Sequence, residues 1–103
     1  MAWLVVARSS DLDEGSVRGV KAKDFNIAIY RIDGKVFATS NVCTHGLAML
    51  SDGFVDGDCI ECPLHQGLFH IPTGEVRSPP LSEAVAVYSA KEEGNDILVD
   101  LPE

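Results

Sequence analysis

The chain has 103 residues, with 16 Asp and Glu against 8 Lys and Arg, for a formal net charge of −8. The length allows one domain around one modest core, and the acidity argues against nucleic acid, whose phosphates need Lys and Arg. The opening apolar run, Trp3 to Ala7, is too short to span a bilayer and lacks the basic and longer apolar regions of a secretory leader.

Those first residues read instead as a strand, and the expected location is the cytoplasm. Further strands are predicted over Val17–Lys21 and Phe25–Ile32. Asp33-Gly34 follows at once, and Lys35–Thr39 resumes the pattern. Asp-Gly between two β-rich runs predicts a two-residue hairpin, because a type I′ turn needs positive φ at both central positions. More strands are expected over Cys59–Glu61, Gly67–Ile71, Ala84–Ser89 and Asp96–Leu101. Turn residues punctuate the gaps at Asp52-Gly53, Asp56-Gly57, Thr73-Gly74, Pro79-Pro80 and Gly94-Asn95. No window of ten or more residues holds a helical period. The expected fold class is all-β, an antiparallel sandwich or barrel, in a single domain over residues 1–103. Residues 41–80 contain all the candidate metal donors and read as a small lobe inserted into the β framework.

Two short clusters carry the chemistry. Cys43-Thr44-His45 and Cys62-Pro63-Leu64-His65 each offer one thiolate and one imidazole, and residues 46–61 separate them. Two sulfur and two nitrogen donors suit either a tetrahedral zinc or an iron–sulfur centre. Zinc modules usually pair Cys with Cys and His with His at short spacing. Here each pair is mixed. A two-iron centre with split ligation needs that crossing, with thiolates on one iron and imidazoles on the other. Neutral imidazoles remove negative charge, so such a centre accepts an electron more readily than an all-cysteine cluster. Gly46 and Gln66-Gly67 follow the histidines and would let backbone come close to the metal. Pro63 would stiffen the second loop. An odd number of cysteines makes a disulfide framework unsuitable, and a reducing compartment agrees with thiolates kept as ligands. A zinc-stabilised interaction module is the alternative reading.

The likeness reaches beyond the four donors. Cys43-Thr44-His45-Gly46, Ser51-Asp52-Gly53, the run from Glu61 to Phe69, and Thr73-Gly74 resemble the Rieske-type [2Fe–2S] ferredoxins of bacterial aromatic-ring-hydroxylating dioxygenase systems. That resemblance implies a Rieske-type antiparallel β-sandwich with a small inserted cluster-binding lobe. It implies one Rieske [2Fe–2S] cluster, held by Cys43, His45, Cys62 and His65. The chain would be an electron carrier with no catalytic residue of its own. Its partners would be an NAD(P)H-dependent flavoprotein ferredoxin reductase, which supplies single electrons, and a terminal Rieske oxygenase, which does the oxygen chemistry at a separate non-haem iron. The carrier would be a monomer with no membrane partner. A Rieske-like small subunit of a nitrite reductase-type complex is an alternative built on the same motif.

Two departures narrow the resemblance. Respiratory Rieske proteins carry an additional cysteine in each ligand loop, joined as a disulfide; Ala48 and Leu64 stand at the corresponding places here. They also place Ser and Tyr hydroxyls near the cluster, where this chain has Gly67 and Phe69. Fewer donors stabilise the reduced cluster less, so the expected potential is at the low end of the Rieske span, roughly −150 mV. Oxygenase subunits share the motif but add a mononuclear iron site. His70 is the only histidine left over here, too few for two histidines and a carboxylate.

Other residues have plainer readings. Cys59 is expected to be a small buried residue on a strand, and His70 to be half-exposed. Trp3 reads as core, and Glu92-Glu93 with Asp96 as a solvated acidic loop. Leu47, Met49, Leu64 and Pro79-Pro80 flank the ligand loops and would form a shallow contact face, with Leu64 and Pro80 touching a partner. The net charge of −8 suits steering toward a basic surface, or solubility alone.

Overall fold

The computed structural model describes residues 2–44, 48–64, 67–79 and 83–102. Its strands, in chain order, are β1 (Ala2–Arg8), β2 (Val17–Ala22), β3 (Phe25–Ile32), β4 (Lys35–Ser40), β5 (Phe54–Asp56), β6 (Cys59–Glu61), β7 (Leu68–His70), β8 (Val87–Tyr88), β9 (Ala90–Glu93) and β10 (Asp96–Leu101). Short 3-10 turns at Ser9–Asp11 and Leu50–Asp52 are the only helical pieces among the described residues. Three sheets result, ordered β1-β10-β9, β2-β3-β4-β8 and β5-β6-β7. Their strand pairings are antiparallel. This is the all-β class expected from the sequence.

The alternation of β3 organises the layers. Ile27 and Ile29 point into one buried cluster with Val36, Ala38, Ile97 and Val99, between the first sheet and the second. Ala28, Tyr30 and Ile32 point into the other cluster, with Leu50, Ile60, Phe69 and the two cysteines Cys43 and Cys62. A strand covered on both faces reads as a nearly continuous apolar run, which is what Phe25–Ile32 is. Each buried Ile or Phe contributes about 1.5–3 kcal/mol of apolar burial. Tyr30 brings a hydroxyl into the second cluster. It donates to Thr39 Oγ1 at 2.8 Å, and Thr39 donates onward to the Ser40 carbonyl. Burial pushes the Tyr30 phenol well above its ordinary pKa.

Tight turns set the registers. Asp33 and Gly34 both have positive φ, 52° and 76°, as a type I′ turn requires. Their N–H groups donate to the two carboxylate oxygens of Glu14 at 2.7 and 2.8 Å. Chain-sequential strands β5 and β6, and β9 and β10, also close over two residues. Strands β4 and β8 pair with each other across the intervening segment, so the β5-β6-β7 sheet is an insertion between them.

The structure corrects several expectations. β5 and β9 are additional strands. β5 has three residues and exposes Phe54, so neither length nor alternation marked it. The strand expected over Ala84–Ser89 shortens to Val87–Tyr88, because the Val85 N–H turns away to the Gly74 carbonyl, 3.0 Å. Trp3 is not core. The β1 alternation sends Leu4 and Val6 toward the sandwich interior and leaves Trp3 outside, with Lys91 Nζ 4.3 Å from its ring centroid, a cation–π contact.

Glu92 is likewise no free loop residue. It lies on β9 and receives two hydrogen bonds from Arg31, at 2.9 and 2.7 Å. Arg31 also donates to the Leu12 and Ser9 carbonyls, so one guanidinium ties β3 to β9 and to the 9–12 segment. The Arg31 hydrogen bonds hold the Glu92 carboxyl down at about 2, against an ordinary 4.5. A depressed carboxylate stabilises the fold fully above the unfolded pKa, and that stability is lost as pH falls through the folded one. Glu92→Gln should therefore lower the unfolding free energy at neutral pH by about 1–2 kcal/mol. It should also flatten the loss of stability between about pH 4.5 and 2. Denaturant titrations across that range check this; parallel acid profiles for parent and variant would contradict it.

Candidate metal centre

Two loops of the same build leave the β framework. In the first, the Cys43 N–H donates to the Ala48 carbonyl at 2.9 Å; in the second, the Cys62 N–H donates to the Gly67 carbonyl at 2.8 Å. Each cysteine therefore sits at the root of a loop closed five residues later. Their side chains are buried, Cys43 at 3% and Cys62 at 0% exposure, and both belong to the cluster beneath β3. The expected donors His45 and His65 lie outside the described residues. So do Leu47 and Pro80 of the expected contact face.

The two loops are rooted differently. The second grows from a ladder: Glu61 pairs with Leu68 on β6 and β7, and β5 pairs with β6. The first has a single bridge, Val42 to Met49, reinforced by the Leu50 N–H donating to the Asn41 carbonyl at 2.7 Å. Just beyond its Cys43 root, the Thr44 hydroxyl donates to the Glu83 carbonyl at 2.7 Å.

Glycines admit the close approaches that this packing needs. A Cβ on Gly53 would overlap the Glu61 carbonyl, next to Cys62. A Cβ on Gly74 would overlap the Val85 carbonyl, and Gly74 has φ +77°. Thr73-Gly74 was legible as a turn; its role in letting residues 83–86 lie against the lobe was not. After the second loop, Leu68 receives two supports from the 77–78 segment: its N–H donates to Ser78 Oγ at 3.0 Å, and its carbonyl accepts the Arg77 N–H at 2.8 Å.

His70 is not a further metal donor. Nδ1 lies 2.8 Å from Thr73 Oγ1 and Nε2 lies 2.9 Å from Asp58 Oδ2, so both ring nitrogens are engaged. The hydrogen bond to His70 holds the Asp58 carboxyl below its ordinary range. Cys59 is half-buried rather than buried, with Sγ 3.6 Å from Asp58 Oδ1. Burial, then the Asp58 contact, pushes its thiol pKa up, which disfavours the thiolate that metals bind. Leu64 and Met49 are exposed, as the contact-face reading expects.

The donor chemistry fits a metal–sulfur group. Two thiols at equivalent positions of two matched loops enter one apolar cluster. Among the described residues no group of three or more His, Cys, Asp or Glu side chains converges on a metal-sized site, and the remaining two candidate donors fall outside them.

Comparison with known proteins agrees with this geometry. The Rieske [2Fe-2S] domain matches residues 2–89. A ferredoxin component of naphthalene 1,2-dioxygenase/salicylate 5-hydroxylase systems from Ralstonia sp is 42% identical over 99 residues, covering 96% of this chain and 95% of that protein. The solved Sphingomonas yanoikuyae B1 ferredoxin superposes with a TM-score of 0.92 at 36% identity, over 98% of this chain and 100% of that one. A chain in the solved complex of reduced oxygenase and oxidized ferredoxin in carbazole 1,9a-dioxygenase gives a TM-score of 0.88 at 38% identity, covering 94% and 91%.

Gly74→Ala should destabilise the protein by about 1–3 kcal/mol, since it combines a left-handed backbone with an overlap on a carbonyl. Urea denaturation measures the change, and a midpoint equal to the parent's would show that residues 83–86 need no such close approach.

Proposed function

This chain belongs to the Rieske [2Fe–2S] domain family, and from that premise we propose that it is a one-electron carrier delivering electrons to a terminal aromatic-ring oxygenase. The matched closure of the Cys43 and Cys62 loops within one buried cluster is the observation that carries the proposal. The similar ferredoxin components belong to dioxygenase systems, and one similar chain was solved in complex with its oxygenase. The cluster supplies reversible one-electron storage when bound.

The protein's own residues would do the rest. Cys43 and Cys62 would hold one iron as thiolates, and His45 and His65 would hold the other as imidazoles. The apolar wall of Ala48, Leu50, Ile60 and Phe69 keeps water from the cysteine side. His45 and His65 would then serve the partner side, and exposed Leu64 and Met49 would be part of a small, quickly released contact. The net charge of −8 favours partners with basic docking surfaces. Electrons would arrive from an NAD(P)H-dependent flavoprotein reductase. We place the carrier in the cytoplasm, because thiolate ligands persist in a reducing compartment, and propose that it acts as a monomer. No helix among the described residues is long and apolar enough to cross a membrane. Residues 1–103 would form a single domain whose lobe spans about residues 41–80.

The test is direct transfer. Chemically reduced protein, mixed in a stopped-flow instrument with an oxidised aromatic-ring oxygenase, should be reoxidised as the oxygenase is reduced. Cys62→Ser should abolish the transfer. A colourless protein containing zinc, or one whose iron never exchanges electrons with an oxygenase, would refute the proposal.

A further inference from the structure

Asn41 and Thr39 are the buried polar side chains among the described residues. A buried amide is costly unless its hydrogen bonds are made. Both amide hydrogens and the amide oxygen of Asn41 have partners. Its Oδ1 accepts the Ser51 N–H at 2.8 Å. Its Nδ2 donates to Asn26 Oδ1 and to Ser51 Oγ, each at 3.0 Å. Its main-chain N–H donates to the Asn26 carbonyl at 2.9 Å, and its own carbonyl accepts the Leu50 N–H at 2.7 Å. One residue thereby joins the start of β3 to both legs of the first loop.

β2 leaves room for this joint. A Cβ on Gly19 would lie 2.8 Å from Ser51 Oγ, closer than real Cβ contacts come, and 3.0 Å from Asn41 Nδ2, a tight contact. The second loop has no need of such a side chain, because a three-stranded ladder already fixes its legs. The first has one bridge. The amide of Asn41 takes the place of the missing ladder, two residues before Cys43.

We infer that Asn41 is a positioning residue for the cluster. Resting on the proposed function, this assigns Asn41, with Ser51 and Asn26, the task of fixing the first ligand loop against the second. Without it the body of the fold persists, but the first loop's legs slide on β2 and β3. The distance between the two ligand pairs then becomes variable, and the group they hold is easier to lose. Outer-shell partners of metal ligands commonly change metal retention by about 10–100-fold.

The experiment compares Asn41→Leu, Ser51→Ala and a control, Ile97→Ala, which opens the other buried cluster. Each is purified with its cluster and measured well below its unfolding temperature. For Asn41→Leu we expect shifted g-values in the reduced-state electron paramagnetic resonance spectrum, a shifted reduction potential, and about 10-fold faster iron loss to a chelator. Ser51→Ala keeps the Ser51 N–H bond to Oδ1 and should shift in the same direction by less. Ile97→Ala should unfold more easily yet keep the parental spectrum and potential. Parental g-values and potential in Asn41→Leu, with iron loss no faster than in Ile97→Ala, would overturn the inference. If Asn41→Leu does not fold, Gly19→Ala decides in its place, by the same criteria, because its methyl presses on the same joint. A parent protein without iron and sulfide would overturn this inference and the proposed function together. A loaded parent whose spectrum the variants leave unmoved would overturn this inference alone.

Discussion

Two backbone hydrogen bonds, from the Cys43 N–H to the Ala48 carbonyl and from the Cys62 N–H to the Gly67 carbonyl, are the constraint on which the rest of the molecule depends. Each pins a cysteine at the root of a short loop, closed by a carbonyl five residues later. Entropy explains the economy. A donor on a closed loop loses little conformational freedom when it binds, so the free energy of metal binding is not consumed in ordering the chain. The two roots must also meet, and the cluster beneath β3 brings them to one place.

That convergence is a task for the β framework. β3 is buried on both faces because it separates two cores. One is shared with the outer sheet, and the other with the inserted lobe. A carrier benefits from this division. The outer core can supply stability without touching the site, while the lobe-side core sets the apolar surroundings of the cysteines. Small side chains and bare backbone allow the layers to come close, at Gly19, Gly53 and Gly74. The Arg31–Glu92 pair closes the far side by holding β3 to β9.

What was legible in the sequence followed from local rules. Asp33-Gly34 announced its hairpin because few residue pairs accept positive φ twice. The Cys and His spacings announced the Rieske [2Fe–2S] family, to which the chain belongs, because ligation chemistry restricts which residues serve. The Phe25–Ile32 strand was visible because β-branched and aromatic residues fill it. Non-local choices were hidden. Whether Trp3 faces core or solvent depends on which face of β1 meets the sheet beneath. Glu92 looked like a solvated charge because its partner, Arg31, is 61 positions away. Asn41 drew no notice because its partners Asn26 and Ser51 come from other segments, 15 and 10 positions distant. β5 was too short and too exposed for periodicity to detect.

The central claim is that both loops contribute one thiolate and one imidazole to a single two-iron centre. Nitrogen coupling to the reduced centre tests it most directly. In electron–nuclear double resonance spectra of protein labelled with nitrogen-15 at histidine only, two sets of strong nitrogen couplings should appear, and one should vanish in His45→Cys and the other in His65→Cys. A reduced centre showing no histidine nitrogen coupling, or couplings unchanged by both substitutions, would contradict the account.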